Sequence, residues 1–553
     1  MNRSRLIVYR LFISLIYQTN QKKYLSLLLF LLINPSSTTA QENHPEQALN
    51  SSEQINQFIQ SQWNALDCQP AKRCSDLEFV RRVYLDLVGR IPSPVEVKDF
   101  LTDERFNKRE MLVDQLLASE DYVQHFTDIF DTLLMGRTEE DTYAERQQNG
   151  WRAYLESTVR ENRPWNEVAK EILLARPESK EAQGSVWFLY ERENKYQEIA
   201  EAVAPAFFGI RIECAQCHDH MIVNEIEQRH YWGLVAFFNR GKNQKSKTGL
   251  NIVESAVGGF SVFADLSGDS QPNLLTFVDA KTVVEERPKN DQKQEDDDEL
   301  YAKAQLDGYP RVPQFSRREQ FVKEIVEGHP LVPRAMVNRL WASLLGRGIV
   351  HPYDEMDSEH PPSHPELLDF LAKEFIDNNY DIKRTIRSIA LSDVYQLSSI
   401  RPQSVNDPAT FAWYLERPLT AEQLARSIQI AVRGSFKNDD PLVGSFRQQF
   451  TDVLPDETVV NISDVLYLSN NQEFDQFLSA SVEEKHLSTQ LLELPSHSAR
   501  VDLLFKRILN RSPDKHETAA IEQYLNQREK TIKPAIDQII WSLLTSAEFR
   551  FNH

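Results

Sequence analysis

The chain has 553 residues, of which 41% are hydrophobic and 26% charged, so it is expected to be globular and to divide into about two to four domains. Its formal net charge is −20, and without residues 1–40 it has 57 basic against 82 acidic residues, a balance of −25 that repels phosphate backbones and argues against nucleic-acid binding. Glycine is scarce, at 17 residues, which disfavours loop-rich β architectures.

The N-terminus has the pattern of a secretory signal. A basic pair, Lys22 and Lys23, precedes an apolar run at 24–33, and small or turn-forming residues lead to Ala40. The run has about ten residues, too few to span a bilayer. We therefore expect residues 1–40 to be a signal peptide cleaved near Ala40, with a retained anchor as the alternative. The sequence thus predicts a periplasmic or secreted protein with no transmembrane span in the mature chain.

Helical periodicity dominates the remainder. Residues 41–60 are polar, and apolar residues recur at helical spacing over 61–245. Short alternating runs and a charged stretch indicate that 246–310 contains short strands and an acidic linker. Helical patterns resume over 311–553. The sequence thus predicts a mainly α, multi-domain helical protein with a small β-containing insertion between two helical halves.

Several helix ends carry recognisable signals. Capping boxes begin at Ser93, Ser363 and Thr420, each with Glu or Gln three residues later. Gly89 is expected to end the first strongly periodic helix, and Pro205 to kink or end another.

The two ends of the chain contain a weak internal repeat. Residues 89–92, Gly-Arg-Ile-Pro, are followed by Glu96, and residues 510–513, Asn-Arg-Ser-Pro, are followed by Glu517. Each precedes a helix that ends in Leu-Leu, with a serine and an aromatic residue shortly after. Either the two ends are related units, or the same helix-stop signals have arisen twice.

The strongest chemical signature is Cys214-Ala-Gln-Cys217-His218. CxxCH is the attachment motif of c-type haem, in which two thiols bind the porphyrin and the histidine supplies an axial iron ligand. We predict haem c bound by Cys214 and Cys217, with His218 on the haem iron. Two alternatives stay open: a Cys214–Cys217 disulfide, or a zinc or iron site that also uses His220.

A second axial ligand would come from a distant part of the chain, because His220 is too close to His218 to reach the opposite haem face. The available residues are His230, Met336, His351, Met356, His360 and His364. His364 is the first candidate, since the first turn of a helix keeps imidazole neutral, and helix capping is its alternative role. Four residues are candidates for a polar cluster near it: Arg339, Arg347, Asp354 and Asp357.

The other two cysteines, Cys68 and Cys74, enclose a short loop that contains proline. In an oxidising compartment this spacing predicts a local disulfide, with free thiols as the alternative.

Several motifs together resemble a known family. They are Arg81–Pro92, Phe208–His220, Tyr231–Phe238, Asn338–Trp341, Gly346–Val350, Pro361–Leu368 and Ser546–His553. From about residue 50 to its end, the chain is similar to the secreted planctomycete cytochrome-associated family, with its paired domains of unknown function fifteen forty-nine and fifteen fifty-three. The resemblance implies an exported protein that accompanies cytochrome c-like domains. It places Cys214, Cys217 and His218 at the haem-motif positions; His220 also matches, whereas Met221 stands where the family usually has proline.

The leading functional hypothesis is an exported c-type haem-binding redox protein of unknown substrate, which acts with a periplasmic redox partner or a cytochrome c-like protein. The alternatives are a secreted binding or scaffold protein with a structural Cys/His metal site, and an accessory enzyme in extracellular polymer breakdown. The sequence has no nucleophile elbow, P-loop, dinucleotide fingerprint or HExxH zinc motif, so it does not assign an enzymatic reaction.

Overall fold

The computed structural model describes residues 51–138, 140–177, 179–247, 249–289, 292, 294–303, 309–450, 454, 467–479 and 486–553. The predicted signal peptide and its cleavage site lie outside these residues. Among the described residues, no helix has the length and apolar character needed to cross a membrane.

Helices joined by short turns form the part of the chain that precedes the predicted insertion. Their bounds are α1 Ser51–Ala65, α2 Asp76–Val88, α3 Pro94–Thr102, α4 Lys108–Leu117, α5 Glu120–Met135, α6 Glu140–Gln148, α7 Trp151–Arg160, α8 Trp165–Leu174, α9 Trp187–Tyr190, α10 Tyr196–Val203 and α11 Gln228–Phe238. Shorter turns of 3₁₀ or π geometry lie at Glu181–Val186, Ala204–Phe208 and Glu213–Gln216.

Two antiparallel hairpins form the insertion. Strands β1 (Gly241–Ser246) and β2 (Gly249–Glu254) pair with Gly241 opposite Glu254. Strands β3 (Val262–Ala264) and β4 (Ser270–Pro272) pair with Val262 opposite Pro272. The β-containing insertion is therefore confirmed.

A second set of helices follows the insertion. Their bounds are α12 Arg317–Phe321, α13 Leu331–Leu345, α14 Pro365–Asp377, α15 Ile382–Ala390, α16 Ala421–Arg433, α17 Pro441–Gln449, α18 Gln472–Ser479, α19 Leu487–Glu493, α20 His497–Ile508, α21 Lys515–Asn526, α22 Ile532–Leu544 and α23 Ala547–Arg550. Short 3₁₀ or π turns lie at Asp298–Leu300, Val322–Val326, Pro408–Thr410 and Glu529–Thr531, and the two-residue strands β5 (Arg417–Pro418) and β6 (Phe551–Asn552) pair with each other. The mainly helical fold class is confirmed.

The buried apolar residues form two clusters: the larger extends from Ile55 to Tyr414, and the smaller combines Leu85 and Ile91 with residues from Leu419 onward. Ile252 and Phe277 of the insertion belong to the same cluster as the helices on both sides of it. The acidic stretch is also anchored at its start, where Glu285 accepts hydrogen bonds from Arg317. The insertion is thus packed into the body, because it carries apolar side chains that the helices bury.

Three of the four helix-end signals formed by Gly89, Ser93, Ser363 and Thr420 are confirmed. Gly89 ends α2 with φ of 67°, and capping boxes are present at Ser93 and Thr420. The predicted box at Ser363 is wrong, because the Ser363 hydroxyl donates to the Ile349 carbonyl and His364 is the residue that precedes α14.

The predicted polar segment 41–60 is helical from Ser51 onward. Ile55, Ile59 and Trp63 recur every four residues along α1 and bury one stripe of it, which explains why a polar sequence is ordered here. The Trp63 indole Nε1 donates to the Thr410 carbonyl at 2.8 Å, so α1 is fastened to a distant loop.

Candidate functional site

The CxxCH motif lies on a short 3₁₀ turn, Glu213–Gln216, between α10 and α11. Pro205 ends α10, and a π turn at Ala204–Phe208 follows, as expected for a proline inside a helical pattern. The chain then reverses at Gly209, whose φ of 65° favours glycine.

The turn presents both motif thiols to solvent. Ala215 is fully buried, whereas Cys214 and Cys217 are exposed. Ala215, between the two cysteines, therefore anchors the turn to the body, and both cysteines meet solvent. This arrangement leaves both sulfur atoms accessible to a large reagent or prosthetic group.

The His218 ring is oriented by its own neighbour. Its Nδ1 lies 2.7 Å from the Asp219 carbonyl oxygen, so Nδ1 carries the proton and donates it. In the neutral ring Nε2 then holds a lone pair. A backbone carbonyl that fixes the tautomer in this way is the usual support of a metal-ligating histidine.

An open cleft of about 720 Å³ lies beside His218. Asp219 and Met221 contribute to it from the motif side, and α11 contributes polar residues at its start. The opposite side comes from the β3–β4 hairpin and the segment after it, through Phe263, Leu266, Pro272 and Leu274. The volume falls in the range of small-molecule and cofactor sites. Cys214 and Cys217 are not in its lining, although Cys217 directly precedes His218.

The turn and the hairpin are fastened together by α11. The Gln228 amide Nε2 donates to the Gln216 carbonyl at 3.2 Å and to the Ala264 carbonyl at 3.1 Å. The Trp232 indole Nε1 also donates to the Gln216 carbonyl, at 3.1 Å, and its ring is stacked on Phe263 with 6.5 Å between centroids. Gln228 and Trp232 thus connect the motif turn to the opposite wall of the cleft.

Gly233 allows this wall to approach α11. A Cβ atom at this position would lie 2.4 Å from the Thr276 carbonyl oxygen and 2.9 Å from that of Leu274. The helix and the segment after β4 are therefore in backbone contact, which only glycine permits.

The loop between α13 and α14 holds the motif segment from the other side. The Met356 amide donates to the Gly209 carbonyl at 2.8 Å, and the Ser358 amide and hydroxyl donate to the Glu225 carboxylate at 2.7 and 2.8 Å. These contacts fix both ends of the segment that carries the thiols.

Arg339 adds a buried ion pair to this support. Its guanidinium donates to Asp354 Oδ1 at 2.5 Å and to the Ala206 carbonyl at 2.6 Å. Of the four residues predicted to cluster near His364, Arg339 and Asp354 pair with each other, whereas Asp357 accepts from His360 at 2.9 Å. A polar cluster near His364 stays a prediction.

His220 is engaged in a turn. Its Nδ1 accepts from the Val223 amide at 2.9 Å, so in the neutral ring the proton is on Nε2 and neither nitrogen offers a lone pair to a metal. Within the described residues, no three His, Cys, Asp or Glu side chains are placed so that they could hold a metal ion.

His364 is buried, with 3% of its surface exposed, and burial lowers the pKa of its imidazole to about 4. Its Nδ1 contacts the Ser363 hydroxyl at 3.1 Å, and its ring packs on Phe411. It makes no side-chain capping bond to α14. Such a residue is out of reach of an extracellular polymer in this conformation, and the capping role is not observed.

The other distal candidates are in varied surroundings. His230 Nδ1 accepts from the Glu227 amide, Met336 and Met356 are buried, and His360 contacts both Asp357 and Glu355. None of the six residues proposed as a second axial ligand, all of which the structure describes, lines the cleft beside His218.

Cys68 and Cys74 are free and buried, which differs from the predicted disulfide. The backbone amide of Cys68 donates to Trp63 at the end of α1, whereas the Cys74 amide donates to Gln396 and its thiol lies 3.7 Å from Arg109 Nη1. The two cysteines are thus held by different neighbours. The pairing stays a prediction for the exported protein.

The residues that sequence reasoning missed are Gln228, the hairpin residues Phe263 and Leu266, and Leu274 just after the hairpin. The only sequence signal was the Tyr-Trp-Gly stretch at 231–233, which marked α11 without indicating what it faces. Their role depends on contacts between segments that are far apart in the chain.

Two protein-family models match the chain. PSCyt2, a protein of unknown function (DUF1549), matches residues 54–243, and PSD1, a protein of unknown function (DUF1553), matches residues 317–451. The first match includes the CxxCH turn, and both matches stop short of the β3–β4 hairpin. Comparison with curated proteins found no match, and neither did comparison with solved structures. The chain therefore carries the paired domains of unknown function DUF1549 and DUF1553.

Proposed function

We propose that this chain is an exported redox protein that carries one c-type haem at the CxxCH turn. The observation that carries the proposal is the arrangement of the turn: two exposed thiols precede a histidine whose Nδ1 is bonded to the Asp219 carbonyl, beside an open cleft with an apolar wall. These residues fit the group, because haem c needs accessible thiols, an oriented imidazole and apolar surface for the porphyrin.

Each residue of the turn has a distinct role in this proposal. Cys214 and Cys217 would hold the haem, each by addition of its S–H bond across a vinyl double bond, so that a thioether would form with the hydrogen on carbon and no leaving group. His218 offers Nε2 to the iron, and the Asp219 carbonyl holds the ring in the required tautomer. Haem bound in this way supplies one-electron exchange.

The supports of the turn are expected to hold this geometry during electron exchange. Gln228 and Trp232 bond to the Gln216 carbonyl from one side, and the Met356 amide bonds to Gly209 from the other. A rigid site changes little between two charge states, which favours fast transfer.

The proposed compartment and partner follow from the chemistry of the site and from the resemblance. The leader-like residues 1–40 support export, and haem attachment to CxxCH belongs to the compartment outside the cytoplasm. The name PSCyt2 and the family resemblance support a cytochrome c-like protein or another periplasmic redox protein as partner.

The experiment is intact-mass analysis of the full chain after export in a host competent in haem attachment. We expect the mass of one haem, iron in equal amount and no zinc. Cys214→Ala and Cys217→Ala together should abolish the added mass, and His218→Ala should change the haem spectrum. His516→Ala, at an exposed histidine of α21, is the matched control and should leave both unchanged.

Three results would contradict the proposal. They are a native protein without porphyrin mass, a disulfide between Cys214 and Cys217 in that protein, and zinc in place of iron.

A further inference from the structure

We infer that the β3–β4 hairpin, which lies outside both family matches, is the second wall of the haem site, and that Gln228 is the residue that positions it. The inference rests on the proposed function, because it concerns the same group. It assigns a binding role to a segment that CxxCH itself does not predict.

The first argument is the distribution of exposed apolar surface. Leu266 at the hairpin tip is 82% exposed and Met221 on the motif side is 83% exposed, and both line the cleft with Leu274. Large apolar side chains exposed around one open cleft are costly in water and mark a binding surface. A flat, largely apolar ligand that meets both sides would cover them.

The second argument is that the hairpin is fastened to the motif rather than merely near it. Gln228 is buried, and its amide group bridges the Gln216 carbonyl of the CxxCH turn and the Ala264 carbonyl at the end of β3. Its backbone amide also donates to Asp219 Oδ1 at 2.8 Å. This one side chain therefore bonds directly to both the motif turn and the hairpin.

The third argument is that the wall has a rigid base. Phe263 stacks on Trp232 with 7° between the ring planes, and Gly233 lets the backbone of Leu274 and Thr276 lie against α11. The tip of the hairpin is exposed while its base is packed, as expected of a wall that is formed before its ligand binds.

The ligand class follows from the lining. The cleft has one oriented imidazole, His218, and five apolar residues. Its four charged residues are Asp219, Glu227 and Asp265 against Arg229, which pairs with Glu227 at 2.7 Å. A planar metalloporphyrin satisfies the imidazole and the apolar walls together.

The test uses full-length protein produced without haem-attachment machinery, titrated with ferric protoporphyrin IX and followed by the haem absorbance band. Unmodified protein is expected to bind one equivalent. Leu266→Asp should weaken binding about tenfold, because an apolar contact is replaced by a charge. Ile400→Asp, at a residue that is 79% exposed and outside the cleft, is the matched control and should bind as the unmodified protein does.

Gln228→Met tests the positioning role. It keeps the size of the side chain and removes both amide hydrogen bonds, so we expect weaker porphyrin binding and a changed fluorescence of Trp232. If this variant does not fold, the comparison of Leu266→Asp with Ile400→Asp decides alone. Equal affinity in those two variants, or no binding by the unmodified protein, would overturn the inference.

Failure of this inference can be distinguished from failure of the proposed function. Covalent haem in the exported protein, with porphyrin affinity unaffected by Leu266→Asp, would support the function and remove the hairpin from the site. Cleft binding that depends on Leu266, without covalent haem in the exported protein, would support the porphyrin cleft and remove the covalent redox assignment.

Discussion

Arg90 and Arg511 share a pattern of hydrogen bonds at equivalent turns near the two ends of the described chain. In each, Nη1 donates to the carbonyl of the next residue, at 3.1 and 3.2 Å. In each, both Nη groups donate to a glutamate six residues later, Glu96 at 3.0 and 2.9 Å and Glu517 at 2.8 and 2.7 Å.

The equivalence extends to the surrounding helices. Helices α2, α3 and α4 and the start of α5 correspond in order to α20, α21, α22 and α23, and a capping serine opens the last helix in both sets. Gly89 and Asn510 have φ of 67° and 59° at the same position of the turn. The side-chain amide Nδ2 of Asn510 donates to the Pro92 carbonyl at 2.8 Å, so the two units also contact each other. This shared geometry favours the interpretation that the two ends are related units over the alternative that the same helix-stop signals have arisen twice.

The repeat predicts unequal effects of the same substitution. The Arg90 side chain is 11% exposed and that of Arg511 is 31% exposed, so solvent weakens the second network more. We expect Arg90→Lys to lower the free energy of unfolding by about 2 kcal/mol and Arg511→Lys by about 1 kcal/mol, because lysine cannot make the forked contact. Urea unfolding midpoints check this. A larger loss for Arg511→Lys would contradict it.

Arg339 is expected to be a strong determinant of stability on α13. Its buried guanidinium pairs with Asp354, and removing it leaves that carboxylate and the Ala206 carbonyl without their donor. Arg339→Met should therefore destabilise the protein by about 3 kcal/mol. Arg334→Met on the same helix is the control: its pair with Asp369 is exposed, and it should cost less than about 1 kcal/mol. Thermal unfolding of both variants tests this, and equal losses would refute it.

His364 makes stability depend on pH in the acidic range. Its pKa is about 4 in the folded protein against an ordinary 6.5, because burial disfavours the imidazolium. Between these values the unfolded chain binds a proton that the folded chain does not, so stability falls as the pH is lowered from 6.5 to 4. We expect His364→Leu to reduce this loss by about 3 kcal/mol. Unfolding midpoints at pH 7 and 4 measure it, with His516→Leu as the exposed control; an unchanged pH dependence in His364→Leu would contradict the assignment.

The four thiols are expected to react in two classes in protein without haem. Cys214 and Cys217 are exposed and should react rapidly with a thiol reagent, whereas burial shields Cys68 and Cys74 and raises the pKa of both thiols, which lowers their reactive thiolate fraction. Titration should count two fast thiols in the native protein and four after unfolding. Two fast thiols in the native protein with no further thiols after unfolding would instead establish the Cys68–Cys74 disulfide.

Local features of the sequence were enough to predict the fold class and many of its boundaries. The helix ends at Gly89, Ser93 and Thr420 depend on hydrogen bonds within one turn, so residues that are neighbours in the sequence determine them. The same locality explains why CxxCH predicts a turn with two thiols and an imidazole before any fold is known. Ser363 shows where such local prediction fails. Its hydroxyl donates to the carbonyl of Ile349, which lies 14 residues away, and the expected capping box does not form.

Tertiary structure alone decided what surrounds that turn. Gln228 bonds to Ala264, and Ser358 bonds to Glu225, across 36 and 133 residues of chain. Such contacts depend on how helices pack. Periodicity does not specify this, because an apolar stripe indicates which face of a helix is buried but not which other element covers it. The sequence by itself therefore determined the helices and the placement of Cys214, Cys217 and His218 within one turn. Packing between distant segments determined the cleft, its hairpin wall and the burial that removes His364 from solvent.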